Sequence, residues 1–257
     1  MNGIHPRAII SPKAEIGKDV SVGPSTIIEG SVVIGDGSVI ASNVLLAEGT
    51  ILGKEVNVSH GAVIGTKPQD LKFGGEKTQA IIGDRTVIRE YATINRGTIA
   101  HGKTTIGADC MLMSYSHVAH DCIVGNNVIM ANSVNLAGHV EIDDFAILGG
   151  LVPVHQFVKI GAHAMIGGGF RVQQDICPYA LVGGYPIKVV GINSVGLSRR
   201  GFSKDVIKIL EKTFKLLFFS GLNTTQALGR LQQEVQIIPE VQLILDFLGR
   251  SNRGIVK

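Results

Sequence analysis

The stretch AEIGKDVSVGPSTIIEGSVVIGDGSVI, residues 14–40, places an aliphatic side chain at every sixth position: Ile16, Val22, Ile28, Ile34 and Ile40. Two residues before each stands something small or β-branched: Ala14, Val20, Thr26, Val32 and Ser38. A helix of 3.6 residues per turn cannot hold every sixth residue on one side, and a lone strand has period two. Six residues per step fits a short strand plus a turn. Successive flat sides then stack on one another as a parallel β-helix. The aliphatic residue points inward, and the small residue that often follows it, as at Gly17, Gly23 and Gly35, lets the chain turn the corner.

The phase extends back to Ile10 and forward through Leu46, Leu52, Val58 and Ile64, returns at Ile82, Ile88 and Ile94, and runs from Ile106 to Val172. Two stretches break it: TKPQDLKFGGEKTQA at 66–80, and the shorter RGTIAHGKT at 96–104. Insertions in a solenoid map to loops on one face, often the binding face. Beyond Val172 the repeat stops, and ICPYALVGGYPIKVVGIN reads as a linker with Pro and Gly turns. SKDVIKILEKTFKLLFFSG then reads as a helix with Ser203 as N-cap and Gly221 as terminator; TTQALGRLQQEV and PEVQLILDFLGRS read as two more, the last with Pro239 in its first turn. The expected organisation is an all-β parallel β-helix over residues 1–186 with a loop insertion at 66–80, followed by a small α-helical domain over 187–257.

Composition agrees. Of 257 residues, 45% are hydrophobic but only 5% aromatic, and 33 are glycine, about twice ordinary usage. Three cysteines, Cys110, Cys122 and Cys177, are an odd number without a C-x-x-C, which argues against a disulfide framework and for a reducing compartment. The N-terminal MNGIHPRAII lacks the basic-then-apolar pattern of a signal, and no apolar run approaches the ~20 residues of a spanning helix. The expectation is a soluble, cytoplasmic chain without an integral membrane segment. Residues 173–257 hold 11 Lys/Arg against 6 Asp/Glu, a surplus of five, which leaves residues 1–172 at −2 within the net +3. A surplus this mild suits an acidic partner or phosphate groups better than nucleic acid.

The polar residues that the repeat does not need are the informative ones. SYSHVAHDCIVG, 114–125, holds His117 and His120 around the inward Val118, with Asp121 directly after the second histidine. Alternation along a strand sends both histidines outward onto a flat face. His139 lies three residues after Leu136, and His155 directly follows Val154. Three roles compete: hydrogen-bonded surface histidines, a metal site of the type that makes a hydratase on such a solenoid, and a general base whose tautomer a carboxylate holds. His120 beside Asp121 suits the third, but neighbours on a strand point to opposite faces, so their contact requires a corner. No G-x-S-x-G elbow, P-loop or paired-Cys metal motif is present, and no cofactor is expected.

PQDLKF (68–73), HVAHDCIVG (117–125), LAGHV (136–140), VHQF (154–157) and SRRGFS (198–203) together resemble the acyl-ACP:UDP-N-acetylglucosamine O-acyltransferase family, in the same order and over nearly the whole chain. The resemblance implies a left-handed β-helix, a homotrimer with clefts between subunits, and transfer of an (R)-3-hydroxyacyl group from acyl carrier protein to the sugar 3-position. It implies catalytic roles for His120 as general base, Asp121 as its supporting carboxylate and Gly138 as the backbone N–H facing the oxyanion. It implies substrate contacts at Gln69, Asp70 and Lys72 on the loop, at His117, His139, His155 and Gln156 on the coils, and at Asn193, Arg199 and Arg200 near the C-terminus. Gly168 matches the position that limits acyl length, and a glycine there implies a longer chain. Lys204, Lys208, Lys212 and Lys215 share one helix face, a fitting surface for an acidic carrier protein. Val195 stands where many relatives have an acidic residue, which leaves a 3-amino sugar open as acceptor. The related N-acyltransferase, which carries an extra N-terminal domain, fits less well because the repeat begins by Ile10.

Overall fold

The computed structural model describes residues 3–257; Met1 and Asn2, the first two residues of the N-terminal stretch considered above, lie outside the described residues, as does the Thr224 side chain. Short strands, most of two residues, assemble into three flat sheets of eleven, eight and eight strands. Within each sheet a strand pairs in parallel with the one three steps on in the chain, so Ser21 lies beside Val39 and His117 beside Asn135. One turn of the left-handed solenoid is therefore 18 residues, three hexapeptides. We call the eleven-stranded sheet A, the sheet holding His117–Val118 sheet B, and the sheet holding Ile123–Val124 sheet C. The chain visits them in the order A, B, C on every turn.

The six-residue period becomes the core directly. Leu46, Ile64, Ile94, Leu112, Val118 and Leu136 are wholly buried, stacked along the axis, while the residue before each faces outward. The corners are the costly part. They place non-glycine residues in the left-handed region, including Asp121 (φ 60°), His139 (φ 62°) and Phe157 (φ 64°). Each such residue costs on the order of 1 kcal/mol, which the stacked coils on both sides impose.

The two insertions enlarge particular turns of the solenoid. Val63 pairs with Thr93, and Thr93 with His117, 30 and 24 residues on, so the first adds 12 residues to a coil and the second adds 6. Both open at neighbouring levels of the corner between sheets B and C.

The stretch expected to be a linker is part of the sheet. Val172 still bridges to Val154 and Ile176 to Ile160, so stacking continues where the six-residue spacing slips. Ala180–Gly183 then adds in parallel to Met165–Ile166, and Lys188–Ile192 folds back antiparallel on it, covering the last edge of sheet A. The alternating burial of Ala180 and Val182 is the ordinary strand pattern, interrupted by turn residues that gave it the look of a loop. The expected boundary at residue 186 falls in the turn of this hairpin.

Four helices follow. A short one the sequence pattern did not single out, α1 (Ser194–Arg199), is capped by Asn193, whose Oδ1 accepts from Gly196 N at 3.1 Å. In α2 (Lys204–Phe218) Ser203 caps as expected, accepting from Val206 N; the helix ends at Phe218, and Gly221 (φ 72°) lies beyond its Phe219 cap instead of terminating it. A reciprocal Asn223–Gln226 capping box starts α3 (Thr224–Glu234), and Pro239 begins α4 (Pro239–Arg250). Buried Leu210, Phe214 and Leu217 turn α2 toward α3, α4 and the Lys188–Ile192 strand. Arg250 pairs with Asp143, which ties α4 to the rim of sheet C.

Candidate active site

His120 and Asp121 do not lie on a flat face. They are the two turn residues between His117–Val118 of sheet B and Ile123–Val124 of sheet C. The left-handed backbone at Asp121 reverses the side-chain direction that strand alternation would give. Consecutive residues therefore meet, with His120 Nδ1 2.8 Å from Asp121 Oδ2. Both are buried, Asp121 completely.

Every neighbour of the carboxylate is a donor. Thr98 N–H reaches Oδ1 at 2.9 Å, the Thr98 hydroxyl reaches Oδ2 at 2.6 Å, and His101 N–H approaches Oδ1 at 3.3 Å. Burial pushes the Asp121 carboxyl up, but the donors, led by the Thr98 hydroxyl and His120, outweigh it and hold the group below its ordinary value. An ionised Asp121 accepts from His120 Nδ1–H, which leaves the Nε2 lone pair free to take a proton. Thr98 and His101 belong to the 96–104 insertion, which the sequence marked only as a disturbance. Their contact with Asp121 joins residues some 20 positions apart and has no local signature.

Gly138 sits one coil above the imidazole. A Cβ there would lie 2.6 Å from His120 Cε1 and 2.8 Å from Nε2, so only glycine admits the ring. The Gly138 N–H meets no acceptor among the described residues. His139 stacks on Phe157 with ring centroids 4.6 Å apart and presents its edge to His120 and His101. Burial holds His139 below the usual imidazole value against the opposing pull of Asp121, with His120 and His101 adding to the lowering. His117 accepts or donates to Thr93 Oγ1 through Nδ1 at 2.7 Å, and burial followed by His120 lowers it too. Next to Asp121, burial pushes the Cys122 thiol up to about 12, and its Sγ–H donates to Ala137 O, so no thiolate stands beside the base.

His117, His120, Gly138 and Gln156 line one cleft of about 350 Å³ together with Gln69 from the 66–80 loop. Asp70 shapes that loop by accepting from Lys72 N at 3.0 Å, and Lys72 itself is exposed. His155 is exposed at the cleft rim, its Nδ1 3.2 Å from Gln156 O. The remaining matched residues lie elsewhere. Gly168 is exposed at the corner between sheets A and B. Asn193 is buried as the α1 cap, with Nδ2 donating to His163 O. Arg200 turns inward over Phe145, its guanidinium donating to Phe145 O, while Arg199 is exposed.

His120, Asp121 and His139 offer three possible metal ligands within 4.8 Å of one another. Asp121 Oδ2 is already shared by the Thr98 hydroxyl and His120 Nδ1, so a cation would have to displace both. The donor set fits a hydrogen-bonded base better than a metal centre.

The hexapeptide model of bacterial transferases matches residues 13–48 and 103–138, and the second domain of UDP N-acetylglucosamine O-acyltransferases matches 175–256. A curated acyl-[acyl-carrier-protein]–UDP-N-acetylglucosamine O-acyltransferase from Thiobacillus denitrificans is 48% identical over the full length of both chains. The chain belongs to that family. A second member, from Aliivibrio fischeri, is 51% identical over 99% of this chain and 97% of its own. The solved O-acyltransferase-family structure from Bacteroides fragilis superposes with a TM-score of 0.97 at 45% identity, covering 98% of this chain and 99% of that one. The enzyme from Acinetobacter baumannii follows at 0.95 and 42%, covering 99% of each chain. The family's name thus falls on a chain whose helical C-terminus and solenoid both match.

Proposed function

We propose that this chain is the acyltransferase that moves an (R)-3-hydroxyacyl group from acyl carrier protein to the 3-position of UDP-N-acetylglucosamine, the first step of lipid A synthesis, with His120 as general base. Full-length relatives are named for O-acyl transfer between acyl carrier protein and UDP-N-acetylglucosamine, which supports the donor and acceptor of this reading. The observation that supports the mechanism is the 2.8 Å contact between His120 Nδ1 and the buried Asp121, which leaves Nε2 free in the cleft. The sugar hydroxyl oxygen attacks the thioester carbonyl as its proton passes to His120 Nε2. Negative charge on the carbonyl oxygen meets the unpartnered Gly138 N–H. The C–S bond then breaks, and the departing carrier thiolate takes the proton back from His120. The protonated Cys122 supports direct attack without an acyl-enzyme.

Gln69 reaches the cleft from the 66–80 loop, and we assign it, Asp70 and Lys72 of the same loop, and His117, His139, His155 and Gln156 on the coils, to sugar and phosphate contacts. Gly168, Asn193, Arg199 and Arg200 lie away from this cleft within one chain, which supports a homotrimer in which a neighbouring copy completes the site. The exposed Lys204, Lys208 and Lys215 on α2 offer the acidic carrier a docking face; Lys212 is partly occupied by the Glu234 carbonyl. Among the described residues no helix is long and apolar enough to cross a membrane. With an acyl carrier protein as donor, we place the reaction in the cytoplasm.

The test is transfer from (R)-3-hydroxyacyl carrier protein to UDP-N-acetylglucosamine by wild type and His120→Ala over a series of acyl lengths. Transfer that collapses in the variant supports the base. A variant as fast as wild type removes His120 from the mechanism, and activity only toward the 3-amino sugar replaces the ester by an amide.

A further inference from the structure

The short 96–104 insertion adds six residues, one repeat, to a single coil, and has no part in lining the cleft. Two of its side chains are buried against Asp121, Thr104 and Thr98, and Thr98, 7% exposed, is the one that meets the carboxylate. Thr98 grips both oxygens of Asp121: its N–H donates to Oδ1 at 2.9 Å and its hydroxyl to Oδ2 at 2.6 Å. The direction of the hydroxyl proton is settled by a third contact. Ala100 N–H donates to Thr98 Oγ1 at 3.2 Å, so the oxygen already accepts and its own proton is left for the carboxylate. A carboxylate gripped at both oxygens cannot rotate, and Oδ2 is the atom that receives His120 Nδ1–H. Asp121 N–H is fixed in turn by Thr104 Oγ1 at 2.9 Å, so the residue is held at its backbone and its side chain from the same insertion.

We propose that Thr98 is a positioning residue for the acyl transfer, fixing through its hydroxyl the Asp121 oxygen that orients the general base His120. The proposal rests on the base assignment of His120. It gives the insertion a purpose that a tolerated surface loop would lack, since the extra repeat carries Thr98 across to the corner of the next coil. Thr98 touches no cleft atom, so its loss acts on turnover and leaves sugar binding alone. Without the hydroxyl, Asp121 loses one of the donors that hold its charge, and the carboxylate becomes a stronger partner for imidazolium. Both changes favour a protonated His120–Asp121 pair, so the acid limb of activity moves to higher pH. The other titratable groups facing the pair are His101 on the insertion, His117, His139 and the Cys122 thiol on the coils, and Asp70 on the longer loop, and none is altered by the substitution.

The experiment compares kcat, KM and the pH profile of kcat/KM for wild type, Thr98→Val, Thr98→Ser and His120→Ala, with thermal unfolding of each. We expect Thr98→Val to lower kcat about ten- to a hundredfold, with KM for the sugar nucleotide little changed and the acid limb moved upward. Thr98→Ser, which keeps the proton, should return both rate and limb toward wild type. A folded Thr98→Val with wild-type rate and limb, or valine and serine variants equally impaired with an unmoved limb, overturns the proposal. Should the valine variant not fold, Thr98→Ala against Thr98→Ser is judged by the same two outcomes. A His120→Ala variant as active as wild type would instead sink the base assignment, which separates the two failures.

Discussion

Gly138→Ala should separate His120 from Asp121 while leaving the solenoid folded. The φ of Gly138 is not in the left-handed region, so alanine meets no backbone strain. Its methyl, however, would lie 2.6 Å from His120 Cε1, 2.8 Å from Nε2 and 3.2 Å from Nδ1. Non-bonded carbons settle at about 3.5–4.0 Å, so the imidazole must withdraw by roughly 1 Å. The Nδ1–Oδ2 bond is 2.8 Å, and a shift of that size takes it past hydrogen-bonding range. A hydrogen bond to a charged group contributes about 1.5–3 kcal/mol, roughly ten- to a hundredfold in rate, and a base misplaced by about 1 Å costs about a hundredfold. The backbone N–H at 138 stays, so the loss reports on the base and not on the oxyanion donor. The assay is kcat/KM for acyl transfer beside thermal unfolding of the same preparation. A folded Gly138→Ala enzyme within about twofold of wild type would refute the packing argument.

Leu112→Ala empties a wholly buried position of the stack and should destabilise by about 2–5 kcal/mol, read by denaturant unfolding. His163 is stacked between Phe145 and Tyr179, and burial followed by the Arg200 charge lowers it to about 4. The unfolded chain binds that proton first, so stability is lost as pH falls from about 6.5 to about 4 and levels off below. A His163→Gln variant should lose less across that window, measured as the pH dependence of Tm. Reversing Lys204 and Lys208 to glutamate should raise KM for the acyl carrier protein several-fold, more at low salt than at high, with the sugar-nucleotide KM unchanged. Gly168→Met, at an exposed corner where a Cβ already approaches Gly150 O at 3.1 Å, should shift the preferred donor to shorter acyl chains.

The stack itself is written in the sequence because it is a one-dimensional property. Each inward residue, from Ile16 to Val172, needs only its own coil and the identical positions above and below, so a period of six carries the stacked strands and the core, while the three-sided, 18-residue coil came from the strand pairing. Where the spacing slips, the physics persists but the pattern does not: Val172, Ile176 and the Ala180–Gly183 strand still stack, although the intervening prolines and glycines resemble a linker. The cap Ser203 and the first-turn Pro239 were legible from chemistry local to one turn of helix.

The histidines were legible as candidates, since nothing in the solenoid requires imidazole at His117, His120 or His139. Their arrangement was decided by the tertiary structure. Adjacent strand residues diverge, and only the left-handed corner at Asp121 turns that carboxylate onto His120. Thr98 and Gly138 reach the pair from positions 23 residues before Asp121 and 18 after His120, distances set by how many residues close each coil. Sequence periodicity fixes which face a residue takes; which residues become neighbours across a corner depends on coil closure and inserted loops, and there the site was assembled.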